Sequence, residues 1–91
     1  MVKVAVFRAL GDPTRLQMVC ILLAEGDAIC ACGFTRAFGV SQPTVSHHLA
    51  KLRAAGLVEA EHRGIWTYYA LRRGLSPEVV ALLESVHAWK V

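Results

Sequence analysis

The stretch "SQPTVSHHLAKLRAAG", residues 41–56, decides the fold. Ser41 can cap a helix N-terminus, Pro43 suits the first turn where its missing N–H costs nothing, and Gly56 can close the C-terminus. Val45, Leu49 and Leu52 recur at helical spacing and form one buried stripe. Gln42, Thr44, Ser46, His47, Lys51 and Arg53 stay off the core. Just upstream, "CACGFTRAFG" reads as a shorter helix from about residue 30 that stops at Gly39. Only "GVS" separates the two, which makes a helix-turn-helix.

Downstream, "LVEAEHRGIWTYYAL" changes to a period of two: Leu57 and Val58 are followed by Trp66, Tyr68 and Ala70 alternating with Thr67, Tyr69 and Leu71. Two antiparallel strands are expected, with "HRG", residues 62–64, at the hairpin tip. "SPEVVALLESVHAWKV" opens with Ser76 and Pro77 and carries Val79, Leu82, Leu83 and Val86 at helical spacing. Upstream, Asp12, Pro13 and Gly26 bracket a helix over "PTRLQMVCILLAE", with Leu16, Val19, Cys20 and Leu23 on its apolar stripe. Residues 2–10 can form a first helix with Val2, Val6, Ala9 and Leu10 on one face. With no repeat, low-complexity run or linker, residues 1–91 read as a single domain. The expected fold is mainly α with a small β-hairpin: a winged helix-turn-helix of order α-α-α-α-β-β-α.

The polar face of residues 41–53 has the chemistry of a major-groove reader. The Gln42 amide can pair with adenine, while Thr44, Ser46 and His47 offer hydroxyls and an imidazole to base edges or phosphates. Ser41 sets the helix N-terminus, whose free N–H groups favour a phosphate. Lys51 and Arg53 lie further along, and Arg63 at the hairpin can reach backbone or minor groove. A winged helix used only to bind protein would carry an apolar or acidic face here, and residues 41–53 carry neither.

Composition agrees. The 91 residues are 55% hydrophobic and 19% charged, with a formal net charge of +3 and a pI near 9.0, which suits a nucleic-acid partner. No apolar run approaches the about eighteen residues of a membrane span. The opening "MVKVAVFRALGDP" has no small-residue cleavage site, so no secretory signal and a cytoplasmic location are expected. No nucleophile, base and oxyanion set or phosphate loop is present, so an enzyme is not expected. A core this small gains from association, and the last helix is apolar on a broad face that ends in Trp89; a homodimer is expected, and with it a palindromic operator.

Three cysteines, all between residues 20 and 32, form no disulfide framework and suit a reducing compartment. Cys30 and Cys32 sit where a helix begins, and thiolates there select soft acceptors. On a regular helix, residues i and i+2 point about 200° apart, so joint ligation would unwind the first turn. Cys20 could join as a third ligand if the reversal at Gly26 is tight, or serve as a small core residue.

"ALGDPTRL", "SQPTVSHHLAKLRAAGLV" and "RGIWTYYAL" resemble the core signatures of the ArsR/SmtB family of metal- and metalloid-responsive repressors, from about residue 7 to residue 71. The resemblance implies a homodimer in which helix 41–54 enters the major groove, the 57–71 hairpin is the wing and the terminal helices form the interface. It also implies repression of a nearby resistance operon, relieved by an inducer. "AICACGF", residues 28–34, resembles the "ELCVCDL" box that binds trivalent arsenic or antimony, with Cys30 and Cys32 on its two cysteines. Ala28 replaces the leading acid of that box, and Thr35 stands where the third thiol belongs. Cadmium, lead or zinc at the same thiols, or their oxidation, are the alternative inducing events. The zinc site that some relatives carry on the last helix is incomplete: only Glu84 and His87 could contribute to it.

Overall fold

The computed structural model describes the backbone of residues 2–89 and the side chains of residues 4–89. The side chain of Val2, and residues 1, 90 and 91 of the expected domain, fall outside that range. Helices α1 (Val2–Leu10) and α2 (Pro13–Glu25) lead into a short strand β1 (Ile29–Cys30), helix α3 (Ala31–Phe38) and helix α4 (Gln42–Ala54). Strands β2 (Val58–Arg63) and β3 (Trp66–Leu71) form the hairpin, and helix α5 (Pro77–Ala88) follows. The fold is a winged helix-turn-helix, as the patterning predicts.

Helix α4 forms as its sequence dictates. Ser41 Oγ accepts the N–H of Thr44, and Val45, Leu49 and Leu52 are completely buried. They meet Phe34 of α3, Met18, Val19 and Leu22 of α2, and Leu57 and Val58 at the entry to the hairpin in one core. Gly39 turns α3 into α4 in the left-handed conformation (φ 64°), which a side chain would strain. Leu57 then donates its N–H to the Leu52 carbonyl and accepts one from Arg72, fixing the wing to the end of α4.

Four details differ from the sequence reading. The sheet has three strands in the order β1-β3-β2, all antiparallel, because Ile29 and Cys30 pair with Tyr69 and Tyr68. A two-residue strand is too short to show a period. The hairpin tip is Gly64–Ile65 rather than residues 62–64, since Arg63 still pairs with Trp66 and only Gly64 has positive φ. In α2 the deepest residues are Met18, Val19 and Leu22, with Leu16, Cys20 and Leu23 half-buried. This helix packs on α1, α4, α5 and β3, so apolar residues surround it and period alone does not pick the deepest face. In α5 only Leu83 is fully buried; Val79, Leu82 and Val86 are half-covered.

The corner between α1 and α2 is tied to α4 by polar groups. Asp12 Oδ2 accepts the N–H groups of Thr14 (2.9 Å) and Arg15 (3.1 Å). Arg15 Nε donates to the Ala9 carbonyl at 2.7 Å, and its Nη1 lies 3.3 Å from His48 Nδ1 on α4. The Arg15 N–H, against a small cost of burial and helped by the His48 and Arg15 charges and the Thr14 N–H, holds the Asp12 carboxyl below its ordinary value. A depressed carboxyl stabilises the fold above its unfolded value and loses that contribution as pH falls through the folded one. Asp12→Asn keeps a capping oxygen without the titration. Its melting temperature is therefore expected to fall less steeply than that of wild type between about pH 5 and about pH 3, read by circular dichroism.

Candidate nucleic-acid interface and thiol site

The residues expected to read DNA lie along one side of α4. Ser41, Gln42, Thr44, His47 and Lys51 are exposed and Ser46 is half-exposed. They hold one another by long, exchangeable hydrogen bonds: Ser41 Oγ is 3.0 Å from Thr44 Oγ1, and Gln42 Nε2 donates to Ser46 Oγ at 3.4 Å. Such groups can trade their partners for base edges at little cost. From Ala28 to Val58 the chain has no Asp or Glu but has Arg36, Lys51 and Arg53, which together account for its whole formal net charge of +3. That segregation was visible in the sequence and is a sharper signal than the total charge.

Arg63 sits on the wing, but its guanidinium turns back along the sheet. It lies 3.3 Å from Glu61 Oε1 and 4.4 Å from the centre of the Tyr68 ring. The tip itself presents Ile65, 89% exposed, and Trp66. Sequence reasoning missed these two, although an apolar pair directly after a hairpin glycine is the signal.

Cys30 and Cys32 are brought together and Cys20 is not. Cys30 does not lie inside α3; it is the N-cap, with extended backbone (φ −62°, ψ 141°), and its Sγ accepts the Cys32 N–H at 3.3 Å. The two thiols therefore need no unwinding to face the same acceptor, because the 200° divergence applies only when both residues are helical. Burial pushes the Cys30 thiol up. The Cys32 thiol, the N–H groups of Cys32 and Gly33 and the nearby Arg36 outweigh that and bring it below the ordinary value. Cys32, donating its proton to Cys30, is correspondingly raised. The pair thus gives up its first proton readily, and the one that remains is held by Cys32 against the Cys30 sulfur. Cys20 is raised by burial in α2, and among the described residues no three His, Cys, Asp or Glu side chains gather into a metal site.

The thiol pair and α4 are linked along α3. Thr35, one turn along α3, donates Oγ1 toward Gln42 Oε1 at 3.3 Å. Cys30 also belongs to the sheet, opposite Tyr68. Both elements that would contact DNA are thus anchored within a few residues of the thiols.

A helix-turn-helix beside a β-hairpin wing, with a basic hydrogen-bonding face on its second helix, defines a winged-helix DNA-binding regulator. The pattern of bacterial regulatory proteins of the arsR family matches residues 12–60, and the chain belongs to that family. It is similar to the arsenic resistance transcriptional regulator ArsR1 of Pseudomonas putida, at 41% identity over 81 residues, covering 89% of this chain and 62% of that one. The arsenical resistance operon repressor of Escherichia coli is 36% identical over 92 residues, covering 99% of this chain and 74% of that one. Among solved structures, the homodimeric winged helix-turn-helix DNA-binding domain of a possible ArsR-family regulator from Mycobacterium bovis superposes with a TM-score of 0.78 at 28% identity, covering 93% of this chain and 74% of that one. These proteins are regulators of transcription, not enzymes. Among the described residues no helix is long and apolar enough to cross a membrane.

Proposed function

We propose that this protein is a homodimeric, cytoplasmic repressor of a metalloid-resistance operon. In this reading it binds a palindromic operator through α4 and the wing, and leaves the operator when trivalent arsenic or antimony binds Cys30 and Cys32. The observation that carries this reading is the short path from the thiol pair, through Thr35, to Gln42 on the reading helix. Cadmium, lead or zinc would engage the same thiols, and a chelator distinguishes them from oxidation, which a reductant reverses.

Ligation acts on a cap and on a strand together. Drawing the two sulfurs onto one atom reorients the Cys30 Sγ that caps α3 and displaces the residue that pairs with Tyr68. Helix α3 and the wing then shift relative to their twins in the dimer, which lowers operator affinity by the difference in binding between the two states. The dimer is supported by surface left uncovered. Phe7 on α1 is 61% exposed and Trp89 after α5 is 72% exposed, and α5 itself keeps four half-covered apolar residues, Val79, Val80, Leu82 and Val86.

The test is a fluorescence-anisotropy titration of a labelled palindrome from the upstream intergenic region at fixed salt. Gln42→Ala is expected to weaken specific binding by about 1–3 kcal/mol and to relax preference at one base pair per half-site. Equal affinity for operator and scrambled DNA in wild type would sink the reading.

A further inference from the structure

Trivalent arsenic forms three bonds, and the site offers two thiolates. Cys30 Sγ lies 3.3 Å from the Cys32 backbone nitrogen, while Cys20 sits in α2 and no third soft ligand gathers at the pair among the described residues. Thr35, one turn beyond Cys32, contributes only a hydroxyl, already donated toward Ala31 O and Gln42 Oε1. A hydroxyl is a hard donor and a poor match for arsenic. We propose that the pair takes monosubstituted trivalent arsenicals, R–As(OH)2, in preference to inorganic arsenite. This inference rests on the sensor reading above.

The bond count favours that class. In R–As(OH)2 one position is a fixed As–C bond and two carry exchangeable hydroxyls. The two S–H groups form two As–S bonds, the two As–O bonds break, and two waters leave; arsenic stays trivalent and nothing is oxidised. Arsenite treated the same way keeps one exchangeable hydroxyl, so its complex is one As–S bond short of a closed site.

The surroundings also suit a carbon substituent. In an antiparallel pair, opposite residues project to the same face with Cβ atoms about 4.5–5.5 Å apart. Cys30 is opposite Tyr68, so the thiol and the phenol ring share the outer face of the sheet. Beside them a groove of about 260 Å³ opens between the α2–β1 turn and the wing, where Ala28, Tyr68 and Ala70 share the walls with the charged Glu59, Glu61 and Arg63. The Arg63 guanidinium covers one face of the Tyr68 ring, which leaves Ala28 and the rest of the ring for a methyl or phenyl group on arsenic to lie against.

The test uses the reduced chain in a phosphine reductant, so that no added thiol supplies the third bond. Phenylarsine oxide, methylarsonous acid and arsenite are titrated separately. Adduct mass and free thiols are counted by native mass spectrometry, and operator release is followed by anisotropy. The organic arsenicals are expected to add once per chain, consume two thiols and act at least about tenfold below arsenite, a difference of about 1.4 kcal/mol. Thr35→Cys, which completes three thiols, is expected to close most of that gap. Arsenite as effective as the organic arsenicals on wild type would overturn the preference and leave the sensor reading standing. An undiminished gap in a folded Thr35→Cys variant would overturn the argument from bond count. An adduct on both thiols without release from DNA would keep the preference and overturn the sensor reading, and no adduct at the pair would overturn both.

Discussion

Exchanging Cys30 and Cys32 together for serine leaves a protein that still binds operator but no longer lets go of it when an arsenical is added. The expectation rests on what each thiol does. Cys30 Sγ caps α3 by accepting the Cys32 N–H, and serine is among the best residues for that role. Helix α3 therefore keeps its start, and Phe34 keeps its place in the core. What disappears is the soft pair with its readily ionised Cys30, since a hydroxyl neither loses its proton near neutral pH nor forms a durable bond to arsenic. In an anisotropy titration, wild type should release labelled operator as phenylarsine oxide is added, whereas the double variant should hold it up to at least about a hundredfold more reagent, equivalent to about 2.7 kcal/mol of lost coupling. Release of the double variant at wild-type concentrations would remove the thiols from the mechanism.

The second large effect concerns stability. Phe34 is 1% exposed and stacks on Phe38, with ring centres 6.3 Å apart and planes 13° from parallel. It is among the largest fully buried side chains and holds α3 against α4 and β3. Truncation to alanine removes the ring and leaves a cavity the helices cannot fill, at a cost of about 3–5 kcal/mol. A domain of this size commands only about 5–14 kcal/mol in total. Phe34→Ala should therefore lower the urea midpoint drastically with an unchanged slope, at matched protein concentration because association adds to apparent stability. Phe38→Ala, at a half-buried position, should cost clearly less. A loss below about 1 kcal/mol for Phe34→Ala would mean that α3 is not held by this packing.

Helix α4 was legible because each local signal agreed: cap, early proline, three core positions at helical spacing and a closing glycine. The thiol arrangement was only half legible. The spacing of Cys30 and Cys32 and their place at a helix start could be read, but whether Cys30 falls inside the helix or caps it turns on one residue, the margin at which helix boundaries are least certain. The strand that makes Cys30 part of the wing is two residues long and pairs across nearly forty positions of sequence, so no periodicity announces it. In α2, Cys20 shared a plausible stripe with Leu16 and Leu23, yet packing on four sides shifted the deepest positions to Met18, Val19 and Leu22. Arg63 was placed on the wing, but of its two partners only Glu61, two residues back on the same face of β2, could be read from the sequence; Tyr68 lies on β3, where only pairing register reveals it.

The confinement of all the excess positive charge to residues 28–58 has a kinetic consequence. Since the rest of the chain is formally neutral, the chain has an electric dipole whose positive end is the helix-turn-helix itself. In the field of a polyanion such a molecule rotates before it touches, and arrives with α4 foremost. Few of its encounters with the duplex are spent on the wrong face, and the same three cations let it travel along the backbone while it searches.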